Sequence, residues 1–287
     1  MTLGIADAGH EAATAQRGQA PAFFLFHTDP QVVAEATRAG VDGFVVDWER
    51  RGKRRRQAGQ DTQINGDTLA DLERVRSATA ARVLCRVNGF GPWTRREIDA
   101  AVYAGADEVL LPMVTGTGEV DRALRFVGGR CGLGILIETR AGVAAAPGLG
   151  RRPLSRVYLG LNDLRIDRGS DNLFEPLVDG TADEVRSWVT GPLFGVAGLT
   201  LPDRGAPVPS RLIAAELVRL RADFTFLRRS FLADTAGKPL APAVAVMRTH
   251  LAGLAGRSAG DRDRARTELI RAVGQTAAVG RAPAVAR

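Results

Sequence analysis

The sequence predicts a single α/β domain folded as a (β/α)8 TIM barrel, and three observations indicate it. The 287 residues are 45% hydrophobic and 25% charged, which is an ordinary globular composition. Short β-branched or leucine-rich runs alternate with amphipathic segments rich in alanine and arginine, the pattern of a parallel sheet covered by helices. Eight such alternations occur, and this number fits a closed barrel better than an open doubly wound sheet of about six strands.

The predicted strands follow one another at residues 23–28, 43–49, 82–88, 107–114, 132–139, 156–163, 195–202 and 224–231. Predicted helices come after them, for example at 30–39, 66–78, 94–104 and 210–221. The third of these helices has a possible N-cap at Thr94, because Glu97 stands three residues further on, as in a capping box.

The two ends of the chain lack this alternation. They are rich in small residues and show no sustained period. We therefore expect a flexible amino-terminal segment at 1–21, a catalytic barrel at 22–254 and a carboxy-terminal extension at 255–287. A short helix is possible across 265–273, and the apolar segment 241–254 could cover either its own barrel or a neighbour's.

Composition excludes several classes of protein. No apolar run approaches the roughly 18 residues of a membrane helix, and the amino terminus lacks the features of a signal peptide. Two cysteines, Cys85 and Cys131, are too few for a disulfide framework. The net charge of +7 comes almost entirely from arginine, without a nucleic-acid motif or interleaved aromatics. We expect a cytoplasmic protein that binds a small molecule, with no nucleic-acid or membrane partner.

Two units of the predicted barrel contain inserted loops, at 50–65 and 165–179. Both loops follow the carboxyl ends of strands, where barrel active sites form, so we expect them to select the substrate. Six of the seven residues at 50–56 are cationic. This run is either a solvated loop or a binding site for an anion. The anion would be a phosphate group of CoA or of a phosphorylated sugar, or a polycarboxylate, with Arg54 and Arg55 as candidate contacts.

Four predicted strands end in polar residues, although a barrel strand requires apolar side chains along most of its length. These residues are Asp47 and Glu49, Arg86 and Asn88, Glu138, and Asn162 and Asp163. Taken singly, each carboxylate is equally compatible with a helix N-cap. Together, they indicate an active site at the top of the barrel.

Glu138 and Asp163 are one βα unit apart, so a barrel places them on neighbouring strands. Two carboxylates there repel each other unless a cation or a shared proton intervenes. One or two carboxylates completed by water and substrate oxygens suit Mg²⁺ or Mn²⁺. Arg86 provides a cationic fork that can bind a substrate carboxylate or an enolate oxygen. The set describes a site for a chelating 2-oxo acid.

The segments VVDWE, RVN, DEVLLPMV, ILIET and YLGLNDL, in this order, resemble the motifs of the HpcH/HpaI aldolase and citrate lyase β-subunit family. That family belongs to the phosphoenolpyruvate/pyruvate superfamily of barrels, and the resemblance covers roughly residues 23–235. Its members make or break C–C bonds through a pyruvate or acetyl-CoA enolate, and they pack barrels together. The resemblance therefore implies a lyase and a homo-oligomer.

The resemblance also implies roles for individual residues. It implies that Glu138 and Asp163 are the two metal ligands and that Arg86 binds the substrate. It also implies an acidic pair at Asp47 and Glu49 and a wall of the site at Pro112 and Met113. One position departs from the aldolase branch, because Arg50 stands where that branch has a histidine. The citrate lyase branch is not matched cleanly either, since the basic run follows here.

These observations predict a divalent-metal-dependent carbon–carbon lyase or aldolase that acts through a pyruvate-type enolate on a 2-oxo or 3-hydroxy carboxylic acid. Arg86 would hold the substrate, with Asn88 as a further substrate contact, and Asp47 or Glu49 would move the proton. Two alternatives stay open. One is a citrate-lyase-like or malyl-CoA-like acyl-CoA lyase whose basic run holds CoA phosphates. The other is a non-catalytic barrel that serves as a partner or regulatory subunit.

Overall fold

The computed structural model describes residues 20–53 and 66–280, and it confirms the predicted (β/α)8 barrel. Every strand pairs in parallel with the next, and the last pairs with the first to close the sheet. The strands are β1 Ala22–Phe26, β2 Gly43–Asp47, β3 Arg82–Arg86, β4 Glu108–Leu111, β5 Gly132–Ile137, β6 Arg156–Leu159, β7 Leu193–Leu199 and β8 Phe224–Leu227.

Helices surround the barrel. They are α1 Pro30–Arg38, α2 Leu69–Ala78, α3 Thr94–Tyr103, α4 Thr117–Val127, α5 Arg140–Leu149, α6 Leu161–Arg168, α7 Thr181–Trp188, α8 Ser210–Arg219, α9 Arg229–Asp234, α10 Leu240–Ala255 and α11 Ala259–Gly280. A short 3-10 helix, Glu175–Leu177, precedes α7. Within the described ranges, none of the helices combines the length and the apolar character that a membrane span requires.

Local signals in the sequence account for several helix starts. The side chain of Asp29 accepts hydrogen bonds from the backbone N–H groups that open α1, and Pro30 occupies its first position, where a missing N–H costs nothing. Thr68 and Asp71 form a capping box at α2. The cap predicted at Thr94 is wrong, because Trp93 is the N-cap of α3 and the Thr94 hydroxyl instead accepts a bond from the N–H of Gly91.

The core has two layers, as the period of two along each strand requires. The larger layer lies between the sheet and the helices. The smaller layer fills the lumen with side chains from seven strands, which are Ala22, Phe24, Val45, Leu84, Leu110, Leu136, Leu193, Phe224 and Phe226. Residues two positions further along a strand face the same way, so Arg86 lies above Leu84 and Glu138 above Leu136. This alternation brings the polar strand ends to the mouth of the barrel.

The lumen floor is closed by a buried ion pair between Glu108 and Arg156, each 1% exposed. The Arg156 guanidinium donates two hydrogen bonds to this carboxylate and lies over the rings of Phe24 and Phe224, with its central carbon 4.5 and 4.6 Å from the ring centroids. Gly134 leaves the space for its stem, since a Cβ there would lie 2.6 Å from Arg156 Cγ. The absence of a side chain at Gly134 therefore leaves room for the side chain of Arg156.

Several strands end earlier than the sequence predicted. Residues 161–163, expected to finish the sixth strand, instead form the first turn of α6. Strand β8 ends at Leu227, so Arg228 and Arg229 follow the strand. In each case the lumen-facing polar residue lies at or beyond the last paired position, because sheet pairing stops where side chains must reach the mouth.

The carboxy-terminal segment packs on the same barrel. Helix α10 contacts α1 and α8 and buries Val244, Met247 and Leu251, so it covers its own barrel. Helix α11 packs on α8 and extends from 259 to 280. The helix expected at 265–273 is thus longer than predicted, and most of the 255–264 stretch that composition assigned to a flexible end is helical.

Candidate functional site

The polar side chains predicted at the strand ends line one end of the barrel. Asp47 closes β2, and Glu49 lies two residues beyond it; both are fully buried. Arg86 closes β3 beside them, with 14% of its side chain exposed. Glu138 follows β5 and is 2% exposed. Asp163, 6% exposed, lies in the first turn of α6, directly after β6. The structure thus places all five at the carboxyl ends of strands.

Arg86 forms a bidentate ion pair with Asp47. Its Nε and Nη2 donate to Asp47 Oδ1 and Oδ2 at 2.8 and 2.7 Å, and Nε lies 3.5 Å from Glu49 Oε2. The guanidinium also lies over the ring of Phe26, 4.9 Å from its centroid. Burial alone would lower the pKa of Arg86, but the charges of Asp47 and Glu49 raise it well above its usual value. Arg86 is therefore a permanent, firmly oriented cation.

Lys53 belongs to the same cluster, and sequence reasoning missed it. Only 3% of its side chain is exposed, and Nζ lies 3.1 Å from Asp47 Oδ2 and 3.5 Å from Glu49 Oε2. The basic run 50–56 was interpreted as a solvated loop or an anion site, so its lysine received no role of its own. A signal was available, because Glu49 and Lys53 have the i, i+4 spacing at which a carboxylate and a lysine meet.

Asp47 is held as an anion. Burial alone would raise the pKa of its carboxyl group, but the positive charges and hydrogen bonds of Arg86 and Lys53 lower it from 3.8 to about 2. Its Oδ1 also accepts a hydrogen bond from the backbone N–H of Glu49. A carboxylate this acidic and this fully engaged is a poor proton acceptor. Of the two predicted proton-transfer groups, only Glu49 therefore stays a candidate.

This lowered pKa makes a prediction about acid stability. The ionised Asp47 stabilises the fold above pH 3.8, its ordinary pKa, and that contribution disappears as the pH falls towards 2. The difference in pKa corresponds to about 2 kcal/mol. We expect urea unfolding to show a steeper loss of stability between about pH 4 and pH 2 in the wild type than in Asp47→Asn. Parallel curves for the two proteins would contradict the assignment.

Asn88 is occupied by the protein itself. Its Oδ1 accepts hydrogen bonds from the N–H groups of Arg50 and Arg51 at 2.9 and 2.8 Å, and its Nδ2 donates to Glu97 at 2.7 Å. Glu97, which was expected to cap α3, instead binds the amide and the backbone N–H of Asn88. Asn88 therefore anchors the chain that leaves β2, and its contact with substrate stays a prediction.

Glu138 lies against the chain that connects β6 to α6. The N–H of Gly160 donates to the carbonyl of Ile137 at 2.9 Å, and a Cβ at Gly160 would lie 3.0 Å from Glu138 Oε1. A side chain at this position would therefore displace the carboxylate. Asp163 follows three residues later, so the glycine lets the first turn of α6 begin beside Glu138. The absence of a side chain at Gly160 therefore leaves space for the carboxylate of Glu138.

The donor set at this point suits a hard divalent cation. Two buried carboxylates leave the other positions to water and substrate oxygens, the arrangement that Mg²⁺ and Mn²⁺ favour. In the described part of the chain, no group of three or more His, Cys, Asp or Glu residues could hold a metal ion. The residue types of Glu138 and Asp163 are those of a site with two carboxylate ligands.

The predicted wall of the site follows β4. Pro112 is buried, and Met113 is partly exposed. Met113 has a φ of 56°, which is uncommon for a residue other than glycine and is associated with functional sites. A Cβ at Gly89, which follows β3, would lie 3.8 Å from Met113 Cβ, so the ends of β3 and β4 contact each other here. This location is compatible with the predicted substrate wall.

Two further residues, Tyr158 and Arg228, belong to β6 and to the end of β8. Tyr158 of β6 faces the lumen, and its hydroxyl donates to the carbonyl of Ala197 at 2.8 Å. Burial and the negative charge of Glu138 raise the pKa of Tyr158 far above its ordinary value. Arg228 lies two residues after Phe226 and shares its face, whereas Arg229 is exposed. Of these two arginines, only Arg228 therefore shares the side of the strand that faces the lumen.

The residue that replaces the family histidine is used structurally. Arg50 donates hydrogen bonds to the carbonyls of Gly66 and Asp67, so it bridges the two ends of the inserted loop.

His27, at the end of β1, accepts a hydrogen bond from the N–H of Asp29 at 3.1 Å, and burial lowers its pKa. Arg54 and Arg55, the predicted substrate contacts, lie outside the described residues, so their roles stay predictions.

No protein-family profile matches the chain, and no curated protein matches it either. Solved structures do share its fold. An HpcH/HpaI aldolase from Desulfitobacterium hafniense superimposes with a TM-score of 0.59 at 15% identity, covering 78% of this chain and 92% of that one. An HpcH/HpaI aldolase/citrate lyase family protein from Burkholderia cenocepacia gives 0.58 at 13%, covering 85% and 99%.

A third solved structure, the citrate synthase SbnG, gives a TM-score of 0.58 at 17% identity and covers 84% of this chain and 97% of that one. At these low identities, the three superpositions show a shared barrel fold. Two of the three structures bear the name of the family that the strand-end motifs resemble.

Proposed function

We propose that the protein is a divalent-metal-dependent carbon–carbon lyase or aldolase that acts through a pyruvate-type enolate on a 2-oxo or 3-hydroxy carboxylic acid. The observation that carries the proposal is the placement of Glu138 and Asp163, two buried carboxylates at the carboxyl ends of neighbouring strands. The fold shared with HpcH/HpaI aldolase and citrate lyase family proteins supports it by analogy.

Glu138 and Asp163 would hold Mg²⁺ or Mn²⁺, which when bound would act as a Lewis acid towards the oxygens of a 2-oxo acid. Arg86 would bind an oxygen of the same substrate. Two of its five N–H donors are used by Asp47, so the others can reach a ligand at the mouth. Asp47 then serves as a positioning residue, because its bidentate contact fixes the plane of the guanidinium.

Charge balance supports this division of roles. Asp47 and Glu49 lie beside two cations, Arg86 and Lys53. Each cation has a nitrogen within 3.5 Å of a carboxylate oxygen of both acids. Among the described residues, these two cations match the two acids in number. Glu138 and Asp163 are the carboxylates that would hold a divalent cation. Glu49 is the candidate for proton transfer to or from the substrate.

The proposal is tested by exchange of the pyruvate methyl protons in deuterium oxide, followed by proton NMR. We expect exchange with Mg²⁺ or Mn²⁺ and its loss on chelation with EDTA, because an enolate forms only when the negative charge on oxygen is stabilised. Exchange that persists in EDTA would contradict metal dependence. Absence of exchange with every divalent metal would contradict the pyruvate-type enolate.

A further inference from the structure

Arg228 lies at the mouth of the barrel, where none of the described carboxylates forms an ion pair with it. It follows β8 and shares the lumen-facing side of Phe224 and Phe226. Among the described residues, no carboxylate forms an ion pair with its guanidinium, and no acceptor hydrogen-bonds to it. Asp234 acts on it electrostatically, but the carboxylate of Asp234 accepts a hydrogen bond from Thr200.

Packing fixes the direction of this side chain. A Cβ at Gly198 would lie 3.1 Å from Arg228 Cγ, and one at Gly205 would lie 3.4 Å from Nη1. Both glycines therefore leave room along the arginine. The guanidinium lies over the ring of Phe174, 5.2 Å from its centroid. Phe174 belongs to the inserted loop 165–179, so the loop expected to select the substrate contacts this cation directly.

The two lumen arginines differ in what they contact. Arg86 is neutralised by a bidentate carboxylate, whereas Arg228 is ordered by apolar and aromatic contacts that leave its N–H donors available. Burial lowers the pKa of Arg228, yet an arginine stays protonated in proteins. A partly buried cation with no carboxylate bonded to it among the described residues is costly, and an anionic ligand lowers that cost. An ordered, unpaired fork is also the geometry that binds carboxylate or phosphate in bidentate fashion.

Tyr158 connects this cation to the proposed catalytic groups. The pKa of its hydroxyl responds to the charges of Glu138, Arg86 and Arg228. Glu138 follows β5 and Arg228 follows β8, so both lie at the carboxyl end of the barrel to which Tyr158 belongs. A ligand held at Glu138 by one end has a cation available for its other end.

We infer that Arg228 binds a second anionic group, a carboxylate or a phosphate, at the far end of the substrate from the reacting carbon. The inference rests on the proposed function for the position of the reacting end. It limits the substrate class to 2-oxo acids with a distal anion, and it assigns specificity to Arg228 together with the loop residue Phe174.

The test compares three ligands by calorimetry in the presence of Mn²⁺. Pyruvate has only the chelating end, 2-oxoglutarate adds a distal carboxylate, and phosphonopyruvate adds a phosphonate as a phosphate mimic. We expect at least one of the two longer ligands to bind about 10-fold or more tightly than pyruvate, the effect of a charge-assisted bidentate contact. The tighter of the two identifies the anion.

Arg228→Gln is expected to remove that gain while leaving pyruvate binding unchanged. Arg229→Gln is the matched control, because it removes the same charge from the adjacent, exposed position and should change neither. Equal loss in both variants, or no loss in Arg228→Gln, would overturn the inference. If Arg228→Gln does not fold, Arg228→Lys takes its place, since it keeps the charge but loses the fork, and unchanged affinity there would equally overturn the inference.

A separate titration distinguishes this inference from the proposed function. Oxalate with Mn²⁺ occupies only the metal end, so its failure to bind would refute the metal site. Inorganic phosphate and glutarate, titrated without metal, then test Arg228 alone. Binding to the wild type that Arg228→Gln loses and Arg229→Gln keeps would support the anion site, and identical behaviour of all three proteins would refute it.

Discussion

Replacing Glu138 by glutamine is expected to reduce metal-dependent exchange of the pyruvate methyl protons by about 10³-fold. Glutamine has nearly the same size as glutamate, so the space beside Gly160 stays filled. The substitution removes one of the two negative charges that would hold the cation, and with it the stabilisation of the enolate oxygen. The measurement is the initial exchange rate by proton NMR at saturating Mg²⁺.

Two variants make this result interpretable. Asp163→Asn should lose exchange to a similar degree, because it removes the other proposed ligand. Glu184→Gln is the matched control, since Glu184 lies on the exposed side of α7, and it should exchange at the wild-type rate. Exchange within about 10-fold of the wild type in Glu138→Gln, at any concentration of Mg²⁺, would refute the role of this carboxylate.

Replacing Arg156 by leucine should destabilise the barrel by about 3–5 kcal/mol, because it leaves Glu108 charged and unpaired at the lumen floor. Both side chains are 1% exposed, so water cannot replace the lost partner. The two rings that sandwich the guanidinium also lose their cation–π contact. The free energy of unfolding in urea, with the slope compared between proteins, is the measurement.

The double variant Glu108→Leu with Arg156→Leu should be more stable than Arg156→Leu alone, because apolar residues can replace a buried pair once no charge is left behind. Arg211→Leu is the surface control. It breaks an ion pair with Glu268 in which both side chains are nearly half exposed, and it should cost less than about 1 kcal/mol. A loss as small as this in Arg156→Leu would contradict the account of the floor.

The architecture could be predicted because it depends on periodicity along the chain. Eight alternations of strand and helix are local signals, and period two carries the polar residues Asp47, Arg86 and Glu138 to one end of the barrel. The strand ends were less predictable. Leu161 to Asp163 continue an apolar-then-polar pattern that fits a strand, yet the chain turns into α6 at Gly160, beside the Glu138 carboxylate.

The partners of the charged residues could not be predicted, because they depend on neighbouring strands and on loop geometry. Glu108 and Arg156 are 48 positions apart, and they meet only because the glycines of β5 open the space between β4 and β6. Lys53 folds back on β2 although it belongs to a basic run. The isolation of Arg228 is a property of its surroundings, and no pattern in its own segment indicates it.

Binding of Mn²⁺, followed by electron paramagnetic resonance of the free ion, tests the central claim most directly. The account predicts one bound Mn²⁺ per chain in the wild type and a loss of affinity of about 100-fold or more in both Glu138→Gln and Asp163→Asn. Asp47→Asn, which alters the ion pairs with Arg86 and Lys53, should keep its Mn²⁺. Undiminished binding in either of the first two variants would contradict the account.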